Sequence, residues 1–290
     1  MGRRFAINVS GMPHTSLLTL YLAAGALLAG LLGSLTGLGG GVVIVPLLTL
    51  GFGVDIRYAI GASLVSVIAT SSGAAAAYLR EGYSNIRVGM FLEVATTIGA
   101  LSGAYIASRI PTSAIAVIFG VVLLYSAYSS LKSDVEVSPD APPDAIATRL
   151  RLDGSYPVEG EHRAYHVRRV PFGFSLMYLA GVLSGLLGIG SGAVKVLAMD
   201  QAMRIPFKVS TTTSNFMIGV TAAASAGIYF HRGYIDPALS MPVMLGVLAG
   251  ALMGARILPH AKVRTLRLVF SVVIGALAVE MMVKGFGGHF

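Results

Sequence analysis

The sequence predicts an all-α fold, a polytopic transmembrane helical bundle of two homologous repeats arranged about a pseudo-two-fold axis. Three observations predict it. Of 290 residues, 55% are hydrophobic and only 12% are charged, with a mean hydropathy of +0.77; an ordinary soluble domain carries about a quarter charged residues. The apolar residues fall in runs long enough to cross about 30 Å of hydrocarbon at ~1.5 Å per residue. The second half also repeats the first at a constant offset of 151 residues.

Taken in order, residues 1–16 form an N-terminal segment with Arg3 and Arg4, followed by an apolar run over 17–32. More apolar segments follow and no small-residue cleavage site ends the run, so it reads as a first membrane helix rather than a leader. Spans over 57–79, 88–109 and 113–131 complete a first transmembrane repeat at 17–132. Residues 133–170 form a polar linker outside the bilayer. It holds Pro139, Pro142, Pro143 and Pro157 among mixed charges and shows no helical apolar period; a small ordered cap is the alternative. The second repeat, 171–290, supplies spans over 173–188, 208–230, 238–258 and 265–284, for eight full spans in all. Two apolar pieces, 42–50 and 193–199, follow glycine clusters and are too short to span, so they read as half-helices or re-entrant segments.

The repeat holds one register without a gap. Gly37, Gly39 and Gly41 fall on Gly188, Gly190 and Gly192; Tyr78, Gly82 and Tyr83 fall on Tyr229, Gly233 and Tyr234; Gly99 and Gly103 fall on Gly250 and Gly254. If the short pieces do not cross, the termini share a side and the Lys/Arg balance mildly favours a cytoplasmic one. If they do cross, each repeat has an odd number of crossings and the halves are inverted.

In hydrocarbon, irregular backbone survives only where protein or a watery cavity covers it. The clusters Gly37–Gly41 and Gly188–Gly192 are where helix is hardest to keep, since glycine costs about 1 kcal/mol per helical position relative to alanine. A break leaves N–H groups of the next half-helix unpaired, with its positive end facing the gap, an arrangement that suits an anion. Carriers place such breaks in matching positions of two repeats around a midplane site. For Gly99/Gly103 and Gly250/Gly254 the better reading is close helix packing.

These features predict a substrate-binding site of Gly37, Gly39, Gly40, Gly41, Gly188, Gly190, Ser191 and Gly192 with the polar residues on nearby spans. Thr211, Ser214 and Asn215 share one helical face, and Ser63, Ser66 and Thr70 make a similar stripe in the first half. Neutral donors suit an anion that must bind and leave; interhelical hydrogen bonding is the competing role. Lys195 lies three residues after Gly192, where its repeat mate is Ile44. It supplies a positive charge to the site or else snorkels to the interface. Glu93 and Glu280 are candidate proton carriers, although each lies five residues from a span end, which favours the interface.

The segments GLLGSLTGLGGGVVIVP (30–46) and GVLSGLLGIGSGAVKV (181–196), with the polar stretch 208–215, resemble the sulfite exporter TauE/SafE family, also called the 4-toluene sulfonate uptake permease family. The resemblance covers nearly the whole chain outside the linker. It implies a multi-pass permease of the cell membrane that carries sulfite, sulfonates, sulfoacetate or a similar small anion. Ser191, Lys195 and Leu197 depart from the usual second motif.

Other classes fit less well. The net charge of +8 comes with no basic stripe interleaved with aromatics, so no nucleic-acid partner is expected; the basic residues lie mostly between apolar runs. No cysteine is present and the histidines lie outside spans or at their ends, so no catalytic site, metal or cofactor is expected. The expected partners are a small anionic substrate and the lipid bilayer. An anion channel or a membrane assembly protein is the alternative, with an intramembrane enzyme behind them. The sequence leaves homo-oligomerisation open.

Overall fold

A computed structural model describes residues 15–36, 40–80, 84–131, 144–158, 161–257 and 263–287. Among the described residues the regular structure is helical apart from one hairpin. In order come α1 (Thr15–Thr36), α2 (Gly41–Pro46), α3 (Ile56–Arg80), α4 (Ile86–Ala107) and α5 (Thr112–Leu131). A short α6 (Ala145–Arg149) and strands β1 (Gly154–Val158) and β2 (Glu161–Tyr165) precede α7 (Val170–Leu187), α8 (Gly192–Leu197), α9 (Phe207–His231), α10 (Pro237–Ile257) and α11 (Val263–Phe286). One π turn, Leu47–Gly51, prolongs α2 and another, Ala198–Ala202, prolongs α8. The bounds recur: α2, its π turn, α3 and α4 begin at 41, 47, 56 and 86, and their counterparts begin 151 residues later.

Among the described residues, Ile86–Ala107, Val170–Leu187 and Pro237–Gly254 are long and apolar enough to cross a membrane by length and composition. Three of the other expected spans, in α1, α3 and α5, carry shorter apolar stretches, Thr19–Leu32, Ile56–Ser71 and Thr112–Tyr128. In α4 the outward face is apolar as well: Met90, Val94, Ile98, Leu101 and Tyr105 are exposed at helical spacing. A helix apolar on all sides belongs in lipid or in a large core.

Glycines set the helix pairs. A β-carbon on Gly99 or Gly103 would lie 2.2 or 2.0 Å from the carbonyl oxygen of Tyr178 or Val182, and one on Gly181 or Gly185 would lie 2.2 or 2.0 Å from that of Thr96 or Ala100. Both partners advance by four residues together, so α4 and α7 run parallel, backbone against backbone. The pair α1 and α10 repeats this: a β-carbon on Gly250 would lie 2.0 Å from the Leu27 carbonyl oxygen and one on Gly30 2.2 Å from that of Val247. Those are the same positions displaced by 151, with the partners exchanged. The packing role read for Gly99, Gly103 and Gly250 is therefore the one observed.

Between these pairs α3 and α9 cross. Tyr58 stacks edge-on against Tyr234, whereas a β-carbon on Gly219 would meet Ser71, so the two helices run antiparallel. The half-helix α2 turns back on α1: Gly40 lies beside Gly30, while Gly25 faces Leu47. It then meets α3 midway, Gly41 lying against Ser63 and Val67, and ends at the start of α3, where Val54 N–H donates to Leu48 O. The chain thus reverses twice, and α3 resumes the direction of α1.

The linker contains the small ordered cap rather than only a polar connection. Its strands pair in antiparallel register, Tyr156 opposite Arg163, and Ala147, Leu152, Tyr165 and Val167 are buried with Val88, Leu92 and Met203. Asn85 joins the cap to α4. Its side chain accepts from Val88 N–H at 3.1 Å and donates to Leu152 O at 2.9 Å and to the Tyr165 hydroxyl at 2.7 Å. Burial, reinforced by Asp153, pushes that hydroxyl up to about 12.

Replacing Gly103 with alanine should force α4 and α7 apart and lower stability by about 1–3 kcal/mol. At Gly227, where a β-carbon meets nothing within 4 Å, alanine should be neutral or stabilise by up to about 1 kcal/mol. Thermal unfolding of both variants in detergent checks the contrast.

Candidate functional site

The second glycine cluster is a true break. Helix α7 ends at Leu187, and Gly188, Gly190 and Ser191 take φ of +67°, +69° and +46° before α8 begins at Gly192. Only glycine adopts this region at little cost, so Ser191 holds it under mild strain. Neither glycine has room for a side chain: a β-carbon on Gly188 would lie 2.6 Å from Ile60, and one on Gly190 2.8 Å from Ile218. In the first cluster, Gly37 and Gly39 lie outside the described residues; Gly40 and Gly41 open α2. The two clusters touch, since a β-carbon on Gly41 would lie 3.1 Å from Gly188 O.

The predicted donors divide by what they already bind. Ser63 donates to Gly188 O at 2.7 Å and Ser214 to Gly192 O at 3.3 Å, so both hold the break in place. Ser66 bonds back to Ala62 O at 2.9 Å within its own helix, as hydroxyls in membrane helices often do. Two hydroxyls are unspent: Ser191 Oγ and Thr211 Oγ1 are buried with no hydrogen-bond partner among the described residues. Asn215 is half-buried on the same face as Thr211 and Ser214.

Lys195 does not snorkel. It is wholly buried, and its Nζ donates to Thr221 Oγ1 at 2.5 Å. Helix α8 heads from the break toward the start of α9, but Thr221 lies fourteen residues into that helix, about 21 Å from Phe207. The ammonium therefore points back toward the middle of the bundle.

Beyond Thr221 stands Glu93, whose place five residues into its expected span favours the interface. Thr221 Oγ1 lies 2.7 Å from Glu93 Oε1 and Thr97 Oγ1 3.3 Å from the same oxygen. Glu93 is 8% exposed because α4 runs parallel to α9 on that side, with Gly89 against Thr213 and Asn85 N–H donating to the Thr213 hydroxyl. Its Oε2 is buried without a partner among the described residues. The result is a buried chain from ammonium to hydroxyl to carboxylate that joins α8, α9 and α4. By contrast, Glu280 sits as expected near the end of its helix, half-exposed and 3.3 Å from Lys284.

Each ion of such a pair is tolerated only while the other is present. Lys195→Met should cost about 3–5 kcal/mol by leaving Glu93 buried and unpaired, and the double variant Lys195→Met, Glu93→Gln should regain most of the loss. Melting temperatures of the two single variants and the double in detergent give the coupling. A double variant no more stable than the worse single one would show that the two charges do not sense each other.

Comparison with known proteins bears on what these helices serve. The family model described as "Sulfite exporter TauE/SafE" matches residues 22–281. "Probable membrane transporter protein YunE" of Bacillus subtilis is 27% identical over 267 residues, 89% of this chain and 95% of that protein. "Probable membrane transporter protein MJ0441" of Methanocaldococcus jannaschii is 25% identical over 269 residues, 88% of this chain and 92% of its own. "Probable membrane transporter protein YdhB" of Bacillus subtilis is 28% identical over 231 residues, 79% of this chain and 86% of its own. No solved structure matches the chain.

Proposed function

This chain belongs to the sulfite exporter TauE/SafE family and is a multi-pass membrane transporter; from that premise we propose that it carries a small sulfur oxyanion or organosulfonate, such as sulfite or sulfoacetate, across the cell membrane. The proposed substrate site lies where Gly40–Gly41 approaches Gly188–Gly192. It uses the Lys195 ammonium, the unspent hydroxyls of Ser191 and Thr211, and Asn215.

The observation that carries this reading is the burial of Lys195 with its ammonium aimed at the bundle centre. A cation inside a membrane protein is costly and serves a pathway, a partner or a ligand. Two hydroxyls without partners among the described residues, those of Ser191 and Thr211, stand on the break and on the helix beside it. An anion stripped of water needs such donors together with a charge, because hydrogen bonds alone offset only part of its desolvation.

The reading includes two inverted repeats about a pseudo-two-fold axis. The recurrence of element bounds 151 residues apart supports it, as do the exchanged glycine contacts of α1–α10 and α4–α7. Parallel directions in those pairs, with α3 and α9 antiparallel, are what two halves of opposite orientation produce. Substrate then sits between two bodies that can rock about it.

Purified protein in liposomes should take up labelled sulfite or sulfoacetate with saturable kinetics, in competition with other small sulfonates and not with cations. The flux should fall at least tenfold in Lys195→Met, about 1.4 kcal/mol. No flux of sulfite, thiosulfate or any sulfonate into liposomes, with or without a pH gradient, would remove the substrate class. Flux that never saturates would make the protein a channel.

A further inference from the structure

The buried ions are not part of the repeat. The positions 151 residues from Lys195, Thr221 and Glu93 are Ile44, Thr70 and Met244. The hydroxyl recurs and the charges do not. In the first half Ile44 is buried on α2, and Thr70 simply bonds back to Ser66 O at 3.0 Å. The same architecture therefore stands with apolar residues where the second half carries an ion pair. Buried pairs are on balance no more stable than well-packed apolar residues of like volume, so folding gives no reason for Lys195 and Glu93.

We propose, on the basis of the anion-transport reading above, that Glu93, Thr221 and Lys195 form a proton-coupling switch in which one proton binds Glu93 for each anion that binds Lys195. The empty site is neutral, with the ammonium balanced by the carboxylate across one hydroxyl. An arriving monovalent oxyanion becomes the nearer partner of the ammonium and leaves Glu93 as an uncompensated buried carboxylate. A proton on Glu93 restores neutrality. The loaded site then holds ammonium, anion and carboxylic acid, and the net addition is one anion and one proton.

The geometry fits such a switch at each atom. The ammonium has three protons, and Thr221 is its hydrogen-bond acceptor, which leaves donors for an oxyanion. Glu93 Oε2, buried and without a partner among the described residues, is free to take the proton. Thr221 has a single hydroxyl proton and two acceptors within reach, Glu93 Oε1 at 2.7 Å and Met217 O at 2.9 Å. When Glu93 becomes an acid, the hydroxyl turns to Met217 O and loses no hydrogen bond.

The two charges face each other across the Thr221 hydroxyl. Lys195 is the charge that acts on Glu93, and Glu93 the charge that acts on Lys195. The other groups at Glu93 are the neutral hydroxyls of Thr96, Thr97 and Thr221. Of the packed elements, α7 brings Tyr178, which is engaged with Ser102. Helix α9 brings Lys208, Tyr229 and His231, the nearest of them eight residues from Thr221. The π turn after α8 brings Asp200, five residues beyond Lys195.

The test is proton uptake on anion binding, measured with purified protein in weakly buffered detergent. Methanesulfonate is the probe because it does not itself titrate. Calorimetry gives the bound anion and a pH indicator gives the protons. Wild type should take up about one proton per anion, and its affinity should fall by up to about tenfold per pH unit on the alkaline side of the Glu93 titration. Glu93→Gln should bind methanesulfonate with no proton uptake. The pair Lys195→Ile, Glu93→Met, which copies the other repeat, should fold and bind none. Binding by wild type without proton uptake, or undiminished uptake in Glu93→Gln, would overturn the switch and leave the anion reading standing. No binding of methanesulfonate, sulfite or sulfoacetate by wild type would overturn the anion reading itself.

Discussion

Apolar side chains gain nothing by leaving lipid for one another, so helices in a bilayer are held by how closely their backbones can approach. In this protein that approach sets the architecture. On α4 and α7, glycines at four-residue spacing let each helix rest on the carbonyls of the other; α1 and α10 do the same. A single methyl at Gly103 or Gly250 would sit 2.0 Å from a carbonyl oxygen, inside any possible contact distance. These two pairs leave α3 and α9 to cross between them, and it is on α3 and α9 that the polar residues collect.

Because the flanking pairs supply the packing, the centre can afford irregular backbone. Three left-handed residues at Gly188, Gly190 and Ser191 stop α7 and start α8, and Ser191 O accepts from Lys195 N–H at 3.0 Å. Ser63 reaches across from the first half to Gly188 O, and Ser214 covers Gly192 O. The glycines there serve conformation and packing at once, since Gly188 and Gly190 face Ile60 and Ile218 closely as well as taking positive φ. A bulky residue at Gly190 would break the fold locally before it blocked any ligand, which makes the charged residues the better probes of the site.

How much of this was legible follows from sequence distance. The repeat, the helices, the short pieces and the packing glycines all leave marks within one span or at one fixed offset, and the 151-residue register places them. The hydroxyl roles were half legible. Their presence on spans is plain, but whether Ser66 bonds to its own helix or Ser63 to the opposite break depends on rotamers and on the crossing of α3 with α9. The partnership of Lys195 with Glu93 left no mark. The residues are far apart in the chain, in different halves, and only the parallel packing of α4 on α9 brings them to one hydroxyl. Depth misled as well: five residues from a predicted span edge suggested an interface for Glu93, whereas α4 begins at Ile86 and turns that residue inward. The hairpin of the linker was obscured by its prolines, yet Pro157 sits within β1, opposite His162, where the two-stranded sheet leaves it an open edge.

The placement of the ion pair matters more than its existence. Lys195 belongs to the second half of the chain and Glu93 to the first, so the pair spans the boundary between them. The repeat keeps the hydroxyl at Thr70 but puts Ile44 and Met244 where a second pair would stand, so one pair makes the two halves unequal. It also ties local charge to relative position, because any movement of α4 against α8 must stretch or shorten the bridge through Thr221. In a medium where an unpaired ion is costly, a ligand that replaces one member of the pair changes which arrangement of the halves is favoured. Binding energy at a few atoms then acts on whole helices, and that conversion is what a carrier requires.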